Sequence, residues 1–232
     1  MCSFVDHLVG RVLGTLDECD LTDSTRVIYT SDHGELLGNH GMWTKMLMYE
    51  ESAGIPLIIS GPGIPANRVV STPASLVDCH PTIVESVGGG NGADDAPRPG
   101  HSLVSLANGC EPDRTVLSEY HDGGAPTGYF MIRRDQWKYV HYVDAPAQLF
   151  NLRNDPFEEN DLGRDGNHRG IASDCEGALR TILDPDAVNR LAFSDQARRI
   201  EGLGGREAIL QMAGQEFGFT PLGDDLVPSE SE

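Results

Sequence analysis

The sequence predicts an α/β protein, in which a parallel sheet with helices on its faces is followed by a small antiparallel sheet. Apolar residues at positions 3–18 recur at helical spacing, and two short β-branched runs at 26–31 and 55–60 precede another helical pattern near Asp78. Short apolar runs then follow one another closely over 115–152, which is typical of antiparallel strands joined by tight turns.

The helices of the first part have recognisable faces and ends. One face of the first helix carries the apolar residues Phe4, Leu8, Val12 and Leu16. The later helix is predicted to begin at Asp78, which serves as an N-cap, with Pro81 in its first turn and Gly88 at its end. A helix, strand, loop, strand and helix in this order favour a parallel sheet.

The second part is predicted to be a four-stranded antiparallel sheet followed by helices from Ile171 onward. A turn at Arg134-Asp135 separates two of its strands. The expected strands are Thr115–Tyr120, Tyr129–Arg133, Trp137–Tyr142 and Gln148–Leu152. The loop Gly88–Gly100 divides the chain into residues 1–100 and 101–232, and an acidic tail runs from Gly223 to Glu232.

The net charge of −19 argues against nucleic acid or an anionic membrane as a partner, because both would repel the protein. Five cysteines without a CxxC pair fit free thiols in a reducing compartment. The first twenty residues lack the basic segment of a signal peptide, so a cytoplasmic location is expected, although a segment upstream would change this. The chain contains only two lysines, Lys45 and Lys138.

Asp32 and His33 stand where the first predicted strand ends. Ligands collect at the carboxyl ends of parallel strands, and a carboxylate beside an imidazole suits a divalent cation. Lys45, twelve residues later, offers a point charge for an anionic oxygen. A metal and a lysine together suit the hydrolysis of a sulfate or phosphate ester. In isolation, Asp32 could equally cap a turn and His33 could be a surface histidine.

The surrounding residues resemble the sulfatase family of the alkaline phosphatase superfamily, with its arylsulfatases, choline-sulfatases and related phosphonate monoester hydrolases. The resemblance is carried by SDHGELLGNHGMWTKMLMYEESAGIPLIISGPG at Ser31–Gly63, and again by Ser118–Leu162. It implies the C-terminal part of an alkaline-phosphatase-like sandwich, with the small antiparallel sheet as a sub-domain.

The resemblance also implies roles for individual residues. Asp32 and His33 correspond to metal ligands, with Ca²⁺ the expected ion and Mn²⁺, Mg²⁺ or Zn²⁺ as alternatives. Lys45 corresponds to the lysine that contacts the anionic oxygens of the ester. His40 either reaches the same site or packs the loop that carries it. His121 either lines the substrate pocket or is an ordinary loop histidine.

The resemblance also implies a strand that ends in paired aspartates, followed by a C-x-P/A-x-R motif whose cysteine becomes the formylglycine nucleophile. Both belong to an N-terminal segment of such enzymes that this chain is expected to lack. Cys79-His80-Pro81-Thr82-Ile83 has the cysteine and proline at the right spacing, but Ile83 replaces the arginine. Cys79 is therefore predicted to be a buried structural thiol, and the chain offers no nucleophile.

The functional expectation is metal-dependent hydrolysis of a small sulfate ester by a complete enzyme of which this chain holds the C-terminal portion. Alone, the chain is expected to be inactive. It would then need a missing N-terminal half, or it would self-associate through the face which that half covers. The alternatives are a phosphodiester or phosphonate monoester hydrolase of the same superfamily, and a non-catalytic remnant domain.

Overall fold

The computed structural model of the protein describes residues 2–89, 99–110, 113–122 and 125–216, with side chains as far as 211. The described helices are α1 (Cys2–Glu18), α2 (Glu50–Ala53), α3 (Cys79–Ser86), α4 (Leu103–Ala107), α5 (Arg169–Ile182), α6 (Pro185–Gly202) and α7 (Gly205–Glu216). The strands are β1 (Val27–Thr30), β2 (Leu57–Ser60), β3 (Thr115–Tyr120), β4 (Tyr129–Arg134), β5 (Trp137–Tyr142) and β6 (Ala145–Asn151).

Strands β1 and β2 pair with each other in antiparallel orientation, with Val27 opposite Ser60 and Thr30 opposite Leu57. The expectation that these two strands are parallel is therefore wrong. Parallel neighbours need a crossover, usually a helix of several turns, that carries the chain back to the starting end of the sheet. The connection from β1 to β2 contains only a loop and the four-residue α2, and it therefore returns the chain from the same end.

The bounds of helix α1 agree with the predicted span to within one residue, but the apolar face of the helix is exposed. None of its residues is buried, and Phe4 and Val12 have relative exposures of 66% and 64%. Strand β2 shows the same property, since Ile58 has a relative exposure of 60%. The amphipathic pattern thus predicted the helix correctly, while the expected burial of its apolar face is not found among the described residues.

Asp78 stands directly before α3, as expected, but its side chain makes no capping hydrogen bond to that helix. The Asp78 carboxylate is fully buried and forms a capping box with Ser75 at a short 3-10 turn that leads into the helix. It also accepts hydrogen bonds from the His101 amide at 2.8 Å and from both terminal nitrogens of Arg114 at 2.9 Å. This carboxylate therefore joins the start of α3 to the segment that enters β3.

The small sheet has the order β3-β4-β5-β6, with every neighbouring pair antiparallel. The predicted turn lies one residue later than expected, where Asp135 adopts a left-handed conformation with φ of 47°. Strands β3 and β5 have the predicted bounds, whereas β4 gains Arg134 and β6 begins earlier, at Ala145. The register between β5 and β6 shifts near Tyr142.

The two faces of the small sheet are both covered. Helix α5 packs on one face, where its buried residues Cys175 and Leu179 meet apolar residues of β4 and β5. On the opposite face, Met48 joins a buried cluster with Tyr129, Met131 and Val140. Because Met48 follows Lys45 by three residues, this second face positions the loop that carries the candidate site.

The described residues form two compact units, one up to Pro185 and one from Asp186 onward. The second unit contains most of α6 and all of α7. The predicted division at residue 100 falls within the first unit and stays a prediction. Residues 90–98 of the predicted boundary loop and the predicted acidic tail at 223–232 lie outside the described residues. No helix within the described part is long and apolar enough to cross a membrane.

Candidate active site

Asp32 and His33 directly follow β1, in a turn held by their own polar groups. The Ser31 hydroxyl donates to the His33 carbonyl oxygen at 2.9 Å, and the His33 amide donates to Asp32 Oδ1 at 3.0 Å. His33 Nε2 lies 3.4 Å from Asp32 Oδ2. The side chains are accessible, with relative exposures of 81% for Asp32 and 39% for His33. Two candidate metal ligands therefore lie side by side at the end of the strand.

The hydrogen bond at His33 Nδ1 bears on which ring nitrogen is available to bind a metal. His33 Nδ1 lies 2.8 Å from the Gly34 carbonyl oxygen. A carbonyl oxygen only accepts, so in the tautomer that donates from Nδ1 to this oxygen the lone pair for a metal is on Nε2, next to Asp32. The His33 amide lowers the pKa of Asp32, and this carboxylate is therefore ionised at neutral pH.

Gly34 brings the end of β1 against the helix α2. Its amide donates to the Ser52 carbonyl oxygen at 2.8 Å. A Cβ atom at this position would fall on the carbonyl oxygen of Glu51. Glycine is therefore required here because of the close approach of two backbones.

Lys45 has an exposed side chain, and its backbone carbonyl group is held by Ser52. The Ser52 hydroxyl donates to its carbonyl oxygen at 2.5 Å. Ser52 thus contacts both Gly34 and Lys45, and it fixes the backbone of the candidate lysine relative to the turn that follows β1. The role of Ser52 was not predicted from the sequence, because a serine within an acidic helical segment gives no indication that it contacts two other parts of the backbone.

His40 packs within the loop. Its ring stacks on Tyr49 with the centroids 3.8 Å apart, and its Nε2 lies 3.3 Å from Glu51 Oε2. The His40 side chain has a relative exposure of 17% and its backbone φ is 53°. These contacts fit the alternative in which His40 packs the loop, while its predicted reach into the site stays a prediction.

The loop between Leu36 and Thr44 uses unusual backbone conformations. Leu37, His40 and Thr44 all have positive φ, between 50° and 83°, as do Gly38 and Gly41. Such conformations are unfavourable for residues other than glycine and persist only where the surroundings impose them. The loop is closed by the Leu36 amide, which donates to the Thr44 carbonyl oxygen at 2.9 Å.

His121 lies at the end of β3, where its ring packs edge-on against Phe130 with centroids 5.2 Å apart. Its Nε2 is 3.7 Å from Glu119 Oε2. Phe130 belongs to the face of the sheet that α5 covers, whereas Lys45 precedes the segment on the other face. A role for His121 in the pocket stays a prediction.

Cys79 is half-buried rather than buried as predicted, and it does not have the properties of a reactive thiol. Burial raises its pKa, and the nearby carboxylate of Asp78 raises it further. A reactive cysteine instead needs a lowered pKa in an electropositive environment. Among the residues that the structure describes, no group of three or more His, Cys, Asp and Glu side chains is placed to hold a metal ion. The prediction that Asp32 and His33 are metal ligands stays a prediction.

A buried ion cluster that was not predicted from the sequence lies where β5 contacts the segment that follows Lys45. Lys138, on β5, is fully buried and contacts Glu50 and Glu158. A lysine in an alternating strand usually faces solvent, so the strand pattern gave no indication that Lys138 is buried. The one signal in the sequence was the scarcity of lysine.

Comparison with known proteins identifies the family of the chain. The family model "Sulfatase" matches residues 1–89. Arylsulfatase K of Danio rerio is 36% identical over 199 residues, covering 82% of this chain and 37% of that protein. Choline-sulfatase of Rhizobium meliloti (strain 1021) is 39% identical over 205 residues, covering 85% of this chain and 39% of that protein. The chain thus spans less than two fifths of the length of these curated relatives.

Solved structures show the same relationship. The phosphonate monoester hydrolase of Agrobacterium radiobacter superimposes with a TM-score of 0.65 and 29% identity, over 78% of this chain and 39% of that one. The 2-O GAG sulfatase BT1596 superimposes with a TM-score of 0.68 and 28% identity, over 77% of this chain and 40% of that one. These similarities confirm the expected fold class, an alkaline-phosphatase-like α/β structure with a small antiparallel sheet. The chain belongs to the sulfatase family and corresponds to a C-terminal portion of its members.

Proposed function

We propose that this chain carries part of a site for the metal-dependent hydrolysis of small sulfate esters. The main support is the turn after β1, where His33 Nε2 lies 3.4 Å from the Asp32 carboxylate and both side chains are accessible. Ser52 bonds the backbones of both Gly34 and Lys45, and the candidate cation therefore belongs to the same local structure as the candidate metal ligands.

Each residue has a distinct proposed role. Asp32 and His33 bind a divalent cation, with Ca²⁺ as the expected ion. The carboxylate oxygen suits Ca²⁺ and also Mn²⁺ and Mg²⁺, whereas the imidazole suits Zn²⁺, and these three ions are the alternatives. A cation bound there would act as a Lewis acid on the ester oxygens. The Lys45 ammonium ion binds a sulfate oxygen and stabilises the charge that develops on it. His40 and His121 are secondary candidates for contact with the ester.

Other parts of the proposed site come from outside this chain. Cys110-Glu111-Pro112-Asp113-Arg114 has the letters of the C-x-P-x-R motif, but this run lies directly before β3 and its Arg114 is bonded to the buried Asp78 carboxylate. Cys79 has a raised pKa. We infer that the nucleophile and the remaining metal ligands belong to an N-terminal portion of the complete enzyme. The isolated chain should then show no turnover of a chromogenic aryl sulfate in the presence of metal.

A second candidate is hydrolysis of phosphonate monoesters. The similarity to the Agrobacterium radiobacter enzyme favours it specifically. The proposed residues suit both reactions, because each involves a tetrahedral anionic group whose oxygens need positive charge. The residues of this chain therefore do not discriminate the two esters, whereas the proposed N-terminal portion would.

Metal binding by the isolated chain tests the first role directly. With two ligands of a larger set, calorimetric titration with Ca²⁺ or Mn²⁺ should give a dissociation constant at or above about 1 mM. Asp32→Asn should abolish this binding, and the matched change Asp6→Asn on the exposed α1 should preserve it. A tight site in the isolated chain would contradict the incomplete ligand set, and binding unaffected by Asp32→Asn would contradict the assignment.

The reaction itself can be tested in a chimera. This chain would replace the corresponding portion of the Rhizobium meliloti choline-sulfatase, and hydrolysis of sulfate esters and phosphonate monoesters would be measured. Lys45→Ala should lower the rate by about a hundredfold or more, as expected when one charge-stabilising group is removed. Arg153→Ala, at an exposed position, serves as control. A folded but inactive chimera would favour the non-catalytic alternative.

A further inference from the structure

The segment Met46–Glu50, which directly follows Lys45, is attached to the small sheet by side chains that come much later in the sequence. The Tyr129 hydroxyl donates to the Met46 carbonyl oxygen. The Lys138 ammonium ion donates to the Met48 carbonyl oxygen at 2.6 Å. Alternate carbonyl groups of one short segment are therefore held by residues of β4 and β5.

Lys138 is the centre of this attachment. Its Nζ lies 2.6 Å from Glu50 Oε1 and 2.9 Å from Glu158 Oε1, and its side chain has no exposed surface. The ammonium ion donates a hydrogen bond to the Met48 carbonyl oxygen and forms ion pairs with one oxygen of each of the two carboxylates. The buried charge is therefore both hydrogen-bonded and paired, which is the condition under which a protein interior accepts it.

Glu158 completes the cluster and contacts the same segment a second time. Its other carboxylate oxygen accepts from the Glu50 amide at 2.6 Å. The backbone at Glu158 is left-handed, with φ of 52°, which is unfavourable for a glutamate. The turn that delivers this carboxylate is held by the contacts of Glu158 with Lys138 and Glu50, and by the Asp155 carboxylate, which accepts from the Glu159 and Asn160 amides.

We propose that Lys138 is a positioning residue that holds Met46–Glu50 on the small sheet and thereby fixes the backbone of Lys45. The loop before Lys45 has several positive φ angles and does not hold this position by its own preference. The catalytic meaning of the proposal rests on the proposed function of Lys45. The positional claim does not, and the following measurements require no hydrolysis.

The two lysines of the chain allow a direct test of burial. Brief acylation of amines, followed by peptide mass spectrometry, should modify the exposed Lys45 readily. Lys138 should react about a hundredfold more slowly, because its amine becomes accessible only by local unfolding. Equal rates at the two lysines would overturn the proposal.

Hydrogen exchange in the full chain tests positioning. In Lys138→Met, amide exchange at Glu50, Ser52 and Ala53 should rise by about tenfold or more, because the buried carboxylate of Glu158 and the partly exposed carboxylate of Glu50 lose their cation. Exchange of the paired amides of β3 and β4 should stay within about threefold of the original, as expected for local opening. A uniform rise across the sheet would make Lys138 an ordinary structural residue, and unchanged exchange at Glu50 would also overturn the proposal.

Glu50→Gln provides a milder variant should Lys138→Met not fold. It keeps the shape of the side chain and a neutral acceptor while it weakens a charge-assisted bond. Exchange at Ser52 and Ala53 should then rise roughly fivefold, again without change in β3 and β4. Lys45→Ala is the matched control and should leave this exchange unchanged, because its side chain is exposed. Exchange that is unaffected in Glu50→Gln would count against the proposal.

Discussion

The two sheets of the first unit differ in how their apolar surfaces are covered. In the four-stranded sheet, Phe130 and Leu149 are fully buried, and both faces are covered by parts of this chain. In the two-stranded sheet and the neighbouring helix α1, comparable side chains are exposed, including Phe4 at 66% and Ile58 at 60%. The same chain thus contains one complete core and one set of apolar surfaces that the described residues do not cover.

This difference shows where the chain is self-sufficient. The small sheet brings its own helix and the segment around Met48, and we expect it to behave as an ordinary folded core. The apolar residues of α1 and β2 are spaced as in buried elements, but in the described structure their side chains are exposed. We propose that further polypeptide covers them in the complete protein, which agrees with relatives more than twice as long as this chain.

A matched pair of Phe→Ala changes gives the largest test of this difference in burial. Phe130→Ala should lower the free energy of unfolding by about 3–5 kcal/mol, because it empties a fully buried position in the small sheet. Phe4→Ala on α1 should change it by less than about 0.5 kcal/mol. Denaturant unfolding would measure both values, and equal losses would show that α1 is buried in solution.

The ion pair of Asp78 and Arg114 tests the link between the two regions. Asp78→Asn should cost about 3 kcal/mol at pH 7, because it leaves the Arg114 guanidinium, which has 8% side-chain exposure, without its partner. Thermal unfolding that shows no loss at pH 7 would contradict this bridge.

The same pair predicts a pH dependence. Burial alone raises the pKa of Asp78, but Arg114 and the His101 and Ser75 amides outweigh it and hold this pKa below the usual value. A depressed folded-state pKa gives stability above the unfolded value of about 3.9 and loses it as the pH falls through the folded value. Unfolding curves below about pH 4 should therefore be less pH-dependent in Asp78→Asn than in the original protein.

A pair of Gly→Ala changes compares the site turn with α1. Gly34→Ala should cost about 1–3 kcal/mol, because the new Cβ meets the Glu51 carbonyl oxygen. Gly10→Ala has nothing within 4 Å and lies in a helix, so it should stabilise the protein by up to about 1 kcal/mol. Thermal unfolding would compare them, and a neutral Gly34→Ala would mean that the end of β1 and α2 do not approach closely.

Self-association is the smallest expected effect. The exposed apolar faces of α1 and β2 favour it, and the net charge of −19 opposes it. On a sizing column the apparent mass should rise with protein concentration, and Val12→Lys should reduce that rise. A monomer at every concentration would refute the expectation and would leave the chemical proposal unaffected.

The sequence predicted elements whose signals are local. The helix at 3–18, the bounds of β3 and β5, and the turn beside Asp135 all follow from periodicity and turn residues within a short window. The antiparallel pairing of β1 with β2 was missed, because two apolar runs carry no information about direction. The resemblance singled out Asp32, His33 and Lys45, whose roles stay predictions.

The supporting residues were harder to foresee than the candidate ligands. Lys138 and Glu158 act across separations of 90 and 108 residues from their partners Met48 and Glu50. Neither pair of partners forms a sequence motif. A charged residue near an apolar strand normally indicates an exposed face, so the sequence pattern gave no sign that Lys138 and Glu158 are buried. Burial of such a pair depends on how the sheet meets the loop, which periodicity along the chain does not encode.

This long separation has a consequence for synthesis on the ribosome. The loop with Lys45 leaves the ribosome well before β5 and the turn at Glu158 exist. At about 5–20 residues per second, the 108 residues between Glu50 and Glu158 take roughly 5–20 s to translate. The candidate catalytic loop is thus made early but obtains its anchors late, and during that interval its exposed Trp43 and Met46 are available to chaperones.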